Sequence, residues 1–367
     1  MKKIKKLINN PGCFLRDYFN KRYPIIRNEI SCPDYIEKEL IHHDNLLESK
    51  IKTESSIDVV YTWVNNQDPT WQSKFIGACE ANSQCHLGQY AQDTARFDNH
   101  NEIFYSLKSI INYMPWVNKI YVITDSQIPP GIDFSDKIKI VDHREIIDDR
   151  YLPTFNSHVI EAHLHKIPGL AEKFIYFNDD VFAARPLNAS HFFKSNGIAS
   201  LFLSNKSLNA MSERGVATPT LSASLKVKAL LHRDYQFEID SPLVHTYIPL
   251  RKSMFEFAWD KYHDEIHSFL GNRFRTNNDI NVATCLVPWL TYIHGKAFPV
   301  RDICYYFNIR SSIARSYYKA LEKNRTLDSA PHSFCANDFN SEKVTLSNYH
   351  DLLLLNLKKY FSKDNKA

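Results

Sequence analysis

The sequence predicts an α/β protein: a mainly parallel sheet flanked by helices, with helical insertions and C-terminal helices. Three observations carry this. Runs rich in β-branched and aromatic residues each end in a polar cluster: Ile57 to Val64 before Asn65-Asn66-Gln67-Asp68-Pro69, Lys119 to Thr124 before Asp125-Ser126-Gln127, and Lys173 to Phe177 before Asn178-Asp179-Asp180. Helical periodicity lies between them, clearest in Ile103, Leu107, Ile110 and Ile111. Strand–helix–strand alternation at this spacing argues for parallel pairing through right-handed crossovers.

Composition narrows the function classes. At 367 residues the chain forms one large domain or two smaller ones. Hydrophobic residues at 44% and charged residues at 23% are ordinary for a globular protein. Only nine glycines occur, and neither a dinucleotide-binding nor a P-loop glycine pattern is present. A net charge of +4 is too mild for a nucleic-acid binder. Seven scattered cysteines with no C-x-x-C pair fit reduced thiols in a cytoplasmic setting. There is no secretory signal, and no apolar run approaches the roughly 18 residues of a membrane span.

Residues 1–56 read as a basic N-terminal segment and a polar lead-in. Within 1–27, Lys and Arg interleave with Ile, Leu and Phe, a pattern suited either to a solvated tail or to an amphipathic helix lying on an anionic membrane. The strand from Ile57 ends at Asn65-Asn66, where asparagine tolerates positive φ and so makes a tight turn without glycine. Residues 70–95 read as a helix and a loop. Asp98 or Asn99 is the expected N-cap of the next helix, with Glu102 in its first turn and Met114-Pro115-Trp116 as its stop. Lys139-Ile140-Val141-Asp142 forms a third strand.

Asn156 or Ser157 caps a helix expected to run to about His165, with Glu161 and His165 sharing a face; on their own these two read as a surface pair. The next strand ends at Asn178-Asp179-Asp180. Adjacent carboxylates at the carboxyl end of a strand in an open α/β sheet repel unless a cation sits between them or one is protonated. They read either as a hard divalent-cation site serving a substrate phosphate or as an acidic turn. Residues 187–235 are less patterned and read as an insertion or lid. His245 follows an apolar pair, and Arg273-Phe274-Arg275-Thr276-Asn277-Asn278-Asp279 opens a helix whose arginines suit an anion. A catalytic unit over 57–335 and a C-terminal helical segment over 336–367 complete the division.

Four blocks in this order resemble the Stealth family, which comprises bacterial capsule-polysaccharide hexose-1-phosphate transferases and the related N-acetylglucosamine-1-phosphotransferase of animals. They are Ile57 to Asn65; Arg96-Phe97 with Asn99, Glu102 and Tyr105 to Pro129; Leu152-Pro153-Thr154-Phe155-Asn156-Ser157 to Val181; and His245 with Arg275 and Asp279. Asn66 and Ala184 stand where the family usually has glycine, and Pro249 is spaced differently from the commoner His-x-Pro.

The resemblance implies a nucleotide-sugar-transferase-like fold and a reaction that moves a hexose 1-phosphate from a UDP-sugar to a saccharide hydroxyl, releasing UMP. It implies Mg2+, or Mn2+ in its place, at Asp179 and Asp180. It implies Arg275 and Arg273 on phosphate, and His245 as general base with a pKa close to operating pH. Thr62, Trp63, Asn65 and Asp68 would line the nucleotide end; Arg96, Asn99, Glu102, Asn156, Glu161, His165 and Asp279 would organise the same pocket. The alternative is a metal-dependent glycosyltransferase that uses the same donor and releases UDP.

Overall fold

A computed structural model describes residues 34–50, 56–81, 93–132, 136–215, 218–325, 330–339 and 344–361, with isolated positions before residue 20. The basic stretch 1–27 therefore lies almost wholly outside the described residues.

The first strand, β1 (Ile57–Thr62), is buried along nearly its whole length, as a central strand covered on both faces must be. β2 (Ile120–Thr124), β3 (Ile138–Asp142) and β4 (Lys173–Asn178) follow, each after a helical crossover or a short loop. Downstream lie β5 (Val181–Ala183), β6 (Ala199–Phe202), β7 (Ile248–Arg251), β8 (Ala297–Val300), β9 (Cys304–Asn308) and β10 (Ser333–Asn337). The main sheet has the order β3-β2-β1-β4-β7. Its first four strands are parallel, and β7 joins the edge antiparallel to β4. The expected mainly parallel α/β architecture is therefore present.

Register decides where the chemistry emerges. Thr62 of β1 sits level with Ile123 of β2 and with Asn178 of β4. The residues that follow these strand ends consequently share one edge of the sheet, where ligands bind in open α/β folds. A second sheet, β5-β10-β9, grows from the turn after β4. Its antiparallel β5–β10 pairing places Cys335 opposite Val181, and Ala336 N donates to Asp180 O at 3.0 Å. The amphipathic helix Glu102–Tyr113 buries Ile103, Leu107 and Ile110 beneath the main sheet. Ser106 joins it to both sheets, lying 2.8 Å from Tyr61 Oη and donating to Val181 O at 2.5 Å.

Several boundaries differ from the sequence reading. The supposed lead-in contains a helix, Asp34–Lys50, that buries Ile41 in the core. Its Glu37 accepts from Tyr305 Oη at 2.5 Å, and its Asp44 pairs with Arg301 at 2.9 Å. The polar sequence concealed it because only a narrow stripe is buried. Residues 187–235 pack into the fold: β6 pairs with β8 and is buried throughout, and the helix Pro219–Tyr235 begins against the cleft described below. The division at 335/336 falls inside β10.

Three local expectations are also corrected. The positive-φ residues other than glycine are Asn101, Ser126 and Gln236 among the described residues, so the turn after β1 does not use Asn65 or Asn66 in that way. The N-cap position of the helix at 102 is Asn101, with no side-chain cap, instead of Asp98 or Asn99. Residues 273–281 form an irregular loop, and regular structure resumes in a π-helical turn, Val282–Leu286.

Candidate active site

The shared edge of the main sheet opens into a cleft of about 410 Å³. Two chemical groupings meet in it. One holds Asp179, Asp180 and His245; the other holds Arg96, Arg275 and Glu161.

The carboxylates project from the turn between β4 and β5. Asp180 Oδ2 accepts from Asn337 Nδ2 at 3.0 Å and from Cys335 Sγ at 3.3 Å, while its Oδ1 is buried with no hydrogen-bond partner. Burial, and next the charge of Asp180, push the Asp179 carboxyl up from 3.8 to about 7. Burial, with a further contribution from Asp179, also raises the carboxyl of Glu102, which lines the same wall. An uncompensated acidic pair with an unused buried oxygen fits a hard divalent cation with oxygen ligands. Asp179 and Asp180 are the residues that would hold it.

His245 is exposed at the rim, in the loop before β7. Its position is nonetheless anchored: Cys304 Sγ donates to its carbonyl at 3.5 Å, and the ring meets Tyr306 edge-on at 5.2 Å. The adjoining Thr246 donates to Ser333 Oγ at 2.7 Å, and Ser333 in turn donates to the buried Asp302 at 2.8 Å. Tyr247 Oη donates to the other oxygen of Asp302 at 2.6 Å.

On the opposite side Arg275 donates to Ser157 Oγ and to Thr220 Oγ1, leaving its Nε buried without a partner. Burial and then the Arg275 charge push the Arg96 guanidinium down to about 9, so both stay charged at neutral pH. Two guanidiniums close enough to repel are balanced within the cleft mainly by Glu161, a charge arrangement suited to a polyanion. The Thr62 and Tyr176 hydroxyls, 2.9 Å apart, connect β1 to Glu161, which accepts from Tyr176 Oη at 3.4 Å.

Two buried residues set this side of the cleft. Asp279 accepts from Asn156 Nδ2 (2.9 Å), His158 Nδ1 (3.1 Å), Asn272 Nδ2 (2.8 Å), Thr276 N (3.1 Å) and Thr276 Oγ1 (2.8 Å). Asn156 caps the helix at Ser157 through His158 N and donates to the carbonyls of Asn272 and Phe274, both at 3.2 Å. Together they clamp the loop that carries Arg275 onto the helix that carries Glu161. Behind it Trp71, Phe97, Phe155 and Phe274 form a separate aromatic core.

Of the residues singled out from the sequence, Thr62, Trp63, Arg96, Glu102, Glu161, Asp179, Asp180, His245 and Arg275 line the cleft. Trp63 Nε1 is a buried donor without a partner there. The others stand outside the lining, and their expected pocket roles become supporting ones. Asp68 caps the helix Pro69–Ala81 through Trp71 N at 2.9 Å. Asn65 accepts from Gln67 N at 3.0 Å, and Asn99 from Asn101 N at 2.9 Å. Arg273 donates to Pro153 O at 2.8 Å and to Arg150 O at 3.3 Å. His165 parts from Glu161 because the α-helix stops at Ala162; its ring stacks against Phe255 and Trp259, each at 5.4 Å. Burial lowers its pKa to about 3.

Sequence reasoning missed the C-terminal contribution. Asn337 and Asp338 line the cleft, and Asp338 binds Arg310 and, at 2.8 Å, His100. Arg310 also pairs with Asp98 at 2.7 Å. The run Cys335-Ala336-Asn337-Asp338, apolar strand giving way to an Asn-Asp pair, repeats the pattern at Asn178-Asp179-Asp180 and was the available signal.

Comparison with known proteins agrees with this geometry. Stealth conserved region 1 matches residues 55–75 and conserved region 2 matches residues 96–201. The capsular polysaccharide phosphotransferase LcbA of Aeromonas hydrophila is 57% identical over 365 residues, covering 99% of this chain and 100% of that protein. The chain belongs to the Stealth family. A second Stealth-type relative, LcbA of Neisseria meningitidis, is 55% identical over 370 residues, covering 98% and 100% of the two chains. The exopolysaccharide phosphotransferase SCO2592 of Streptomyces coelicolor is 32% identical over 312 residues, covering 83% of this chain and 32% of that protein. Among solved structures, the galactosyltransferase LgtC gives a TM-score of 0.34 at 9% identity, covering 82% of this chain and 95% of that one. That likeness is too distant to carry an argument. Among the described residues no helix is long and apolar enough to cross a membrane.

Proposed function

We propose that this Stealth protein is a capsular polysaccharide phosphotransferase that moves a hexose 1-phosphate, or an N-acetylhexosamine 1-phosphate, from a UDP-sugar to a saccharide hydroxyl. One observation carries the reading. A carboxylate pair, an exposed imidazole and two desolvated guanidiniums converge on a single cleft at the carboxyl edge of the sheet. Phosphoryl transfer needs little more than charge stabilisation, in-line positioning and a base. Full-length relatives named as capsular polysaccharide phosphotransferases support the assignment.

Arg275 and Arg96 receive the diphosphate and offset the charge that builds on its oxygens as the bond to phosphorus changes. His245 accepts the proton of the incoming acceptor hydroxyl. The acceptor oxygen forms a bond to the sugar-proximal phosphorus, the bond from that phosphorus to the UMP oxygen breaks, and UMP leaves. Asp179 and Asp180 would hold a divalent cation, Mg2+ or Mn2+, which would supply further neutralisation of the diphosphate. Burial, and next the charge of Asp179, raise the Glu102 carboxyl beside that pair. Trp63 Nε1 and the Thr62 hydroxyl are donors for the nucleotide or sugar.

The basic stretch 1–27 fits peripheral attachment to an anionic membrane. Its deletion is expected to release the protein from anionic vesicles while turnover in solution persists.

The leaving nucleotide tests the assignment. Incubation with UDP-hexoses and short acceptor saccharides should release UMP. Release of UDP, with no UMP, would assign the cleft to ordinary glycosyl transfer.

A further inference from the structure

We infer that Asp180, His245 and Cys335 form a second cation site, one that takes a thiophilic divalent ion such as Zn2+ or Cd2+ and switches transfer off when filled. One ligand atom from each of the three lies within 4.8 Å of the others. A tetrahedral site with bonds of about 2.0–2.3 Å holds its ligand atoms roughly 3.3–3.8 Å apart, so a small rotation of the exposed His245 ring completes the set.

The arrangement is built into the fold. Cys335 is fixed beside Asp180 by the β5–β10 register, with Sγ 3.3 Å from Oδ2. The His245 backbone is tethered to β9 by Cys304 and its neighbour Thr246 to β10 by Ser333. Asp180 Oδ1 is buried and has no partner. Thiolate and imidazole select zinc-like ions, whereas Mg2+ prefers carboxylate and phosphate oxygens. A thiophilic cation would therefore compete with Mg2+ for Asp180.

A second grouping of similar composition shows what a preoccupied cluster looks like. Asp98, His100 and Asp338 also bring three ligand atoms together. There Arg310 already bonds both carboxylates, so a cation would have to displace a guanidinium. In the Asp180, His245 and Cys335 grouping, Asp180 Oδ2 accepts from the neutral groups of Asn337 and Cys335, and its Oδ1 has no hydrogen-bond partner.

As the sulfur–metal bond forms, the Cys335 thiol loses its proton to solvent, so binding tightens as pH rises. The filled site occupies the His245 nitrogen that would take the acceptor proton. The inhibitory half of the inference thus rests on the role proposed for His245, while the binding half does not.

Cd2+ titration of the full-length protein in excess Mg2+, followed by thiolate-to-cadmium absorbance, tests the binding half. The expected result is one equivalent whose signal disappears in Cys335→Ala and in Cys335→Ser, the second keeping a hydroxyl donor for Asp180. The same signal should persist in Cys304→Ala. Affinity should fall by more than about 100-fold on loss of Cys335 or His245, since even residues behind a metal ligand contribute about 10- to 100-fold. Matching thermal melts show that each variant is folded. A signal that survives Cys335 substitution, or none in the wild type, overturns the site. Stoichiometric Cd2+ binding with undiminished turnover keeps the site but overturns the switch and the role of His245 together.

Discussion

The two sides of the cleft are built in opposite ways. The carboxylate side is a two-residue turn between β4 and β5 whose place is set by the sheet register, with Cys335 and Asn337 of the paired strand β10 on Asp180. The guanidinium side is an irregular loop, and Arg275 is held there by side chains far away in sequence, through Asn156 and Asp279. Position is thus set by backbone on one side and by a buried polar hub on the other. Substitutions on the first side should cost chemistry alone. Those behind the second should cost chemistry and stability together.

The largest expected effect tests the first half. His245→Ala and Asp180→Ala should each lower turnover by about 100- to 10,000-fold, the range for loss of an acid–base or charge-stabilising group. Their melting temperatures should stay near that of the wild type, because His245 is exposed and Asp180 Oδ1 has no hydrogen bond to lose. Steady-state kinetics and thermal melts on the same preparations decide it.

Arg275→Ala is next, with an expected loss of about 100- to 1,000-fold in kcat. Asp279→Ala should approach that loss without touching substrate, and should also destabilise the fold by about 3–5 kcal/mol by leaving buried partners unpaired. Denaturant titration of both variants separates the two effects. Equal stability in Asp180→Ala and Asp279→Ala would break the contrast between the sides.

A pH series gives a smaller signal. The Asp179 carboxyl is raised from 3.8 to about 7, so the ligand-free protein is favoured when that group is protonated. The contribution is complete below about pH 4 and is lost as pH rises through about 7. Added Mg2+ should restore stability above that point, and Asp179→Asn should flatten the profile. The smallest effect is expected at His165, whose ring packs against Phe255 and Trp259 away from the cleft lining. His165→Phe should leave kcat within about twofold, the range of a volume-conserving swap in a packed site.

The same contrast explains what was legible in the sequence. Period-two and apolar runs located β1, β2 and β4, and with them Thr62, Trp63, Asp179 and Asp180. Asn156 and Asp279 were picked out, but the family resemblance implied pocket residues where the structure uses them as a buried clamp 123 residues apart in sequence. Glu161 and His165 were four apart, yet a helix end at Ala162 separated them. Periodicity reports a face only while the helix lasts. The contribution of Asn337 and Asp338 depends on the β5–β10 pairing, a long-range contact that no local pattern encodes.

The central claim is that phosphorus stays with the transferred sugar. Its most direct test is the phosphorus-31 spectrum of the purified product made by the wild-type protein from a UDP-sugar and an acceptor saccharide. A phosphodiester signal that appears with the wild type and is lost with His245→Ala is the predicted result. A phosphorus-free glycoside as the product would contradict it.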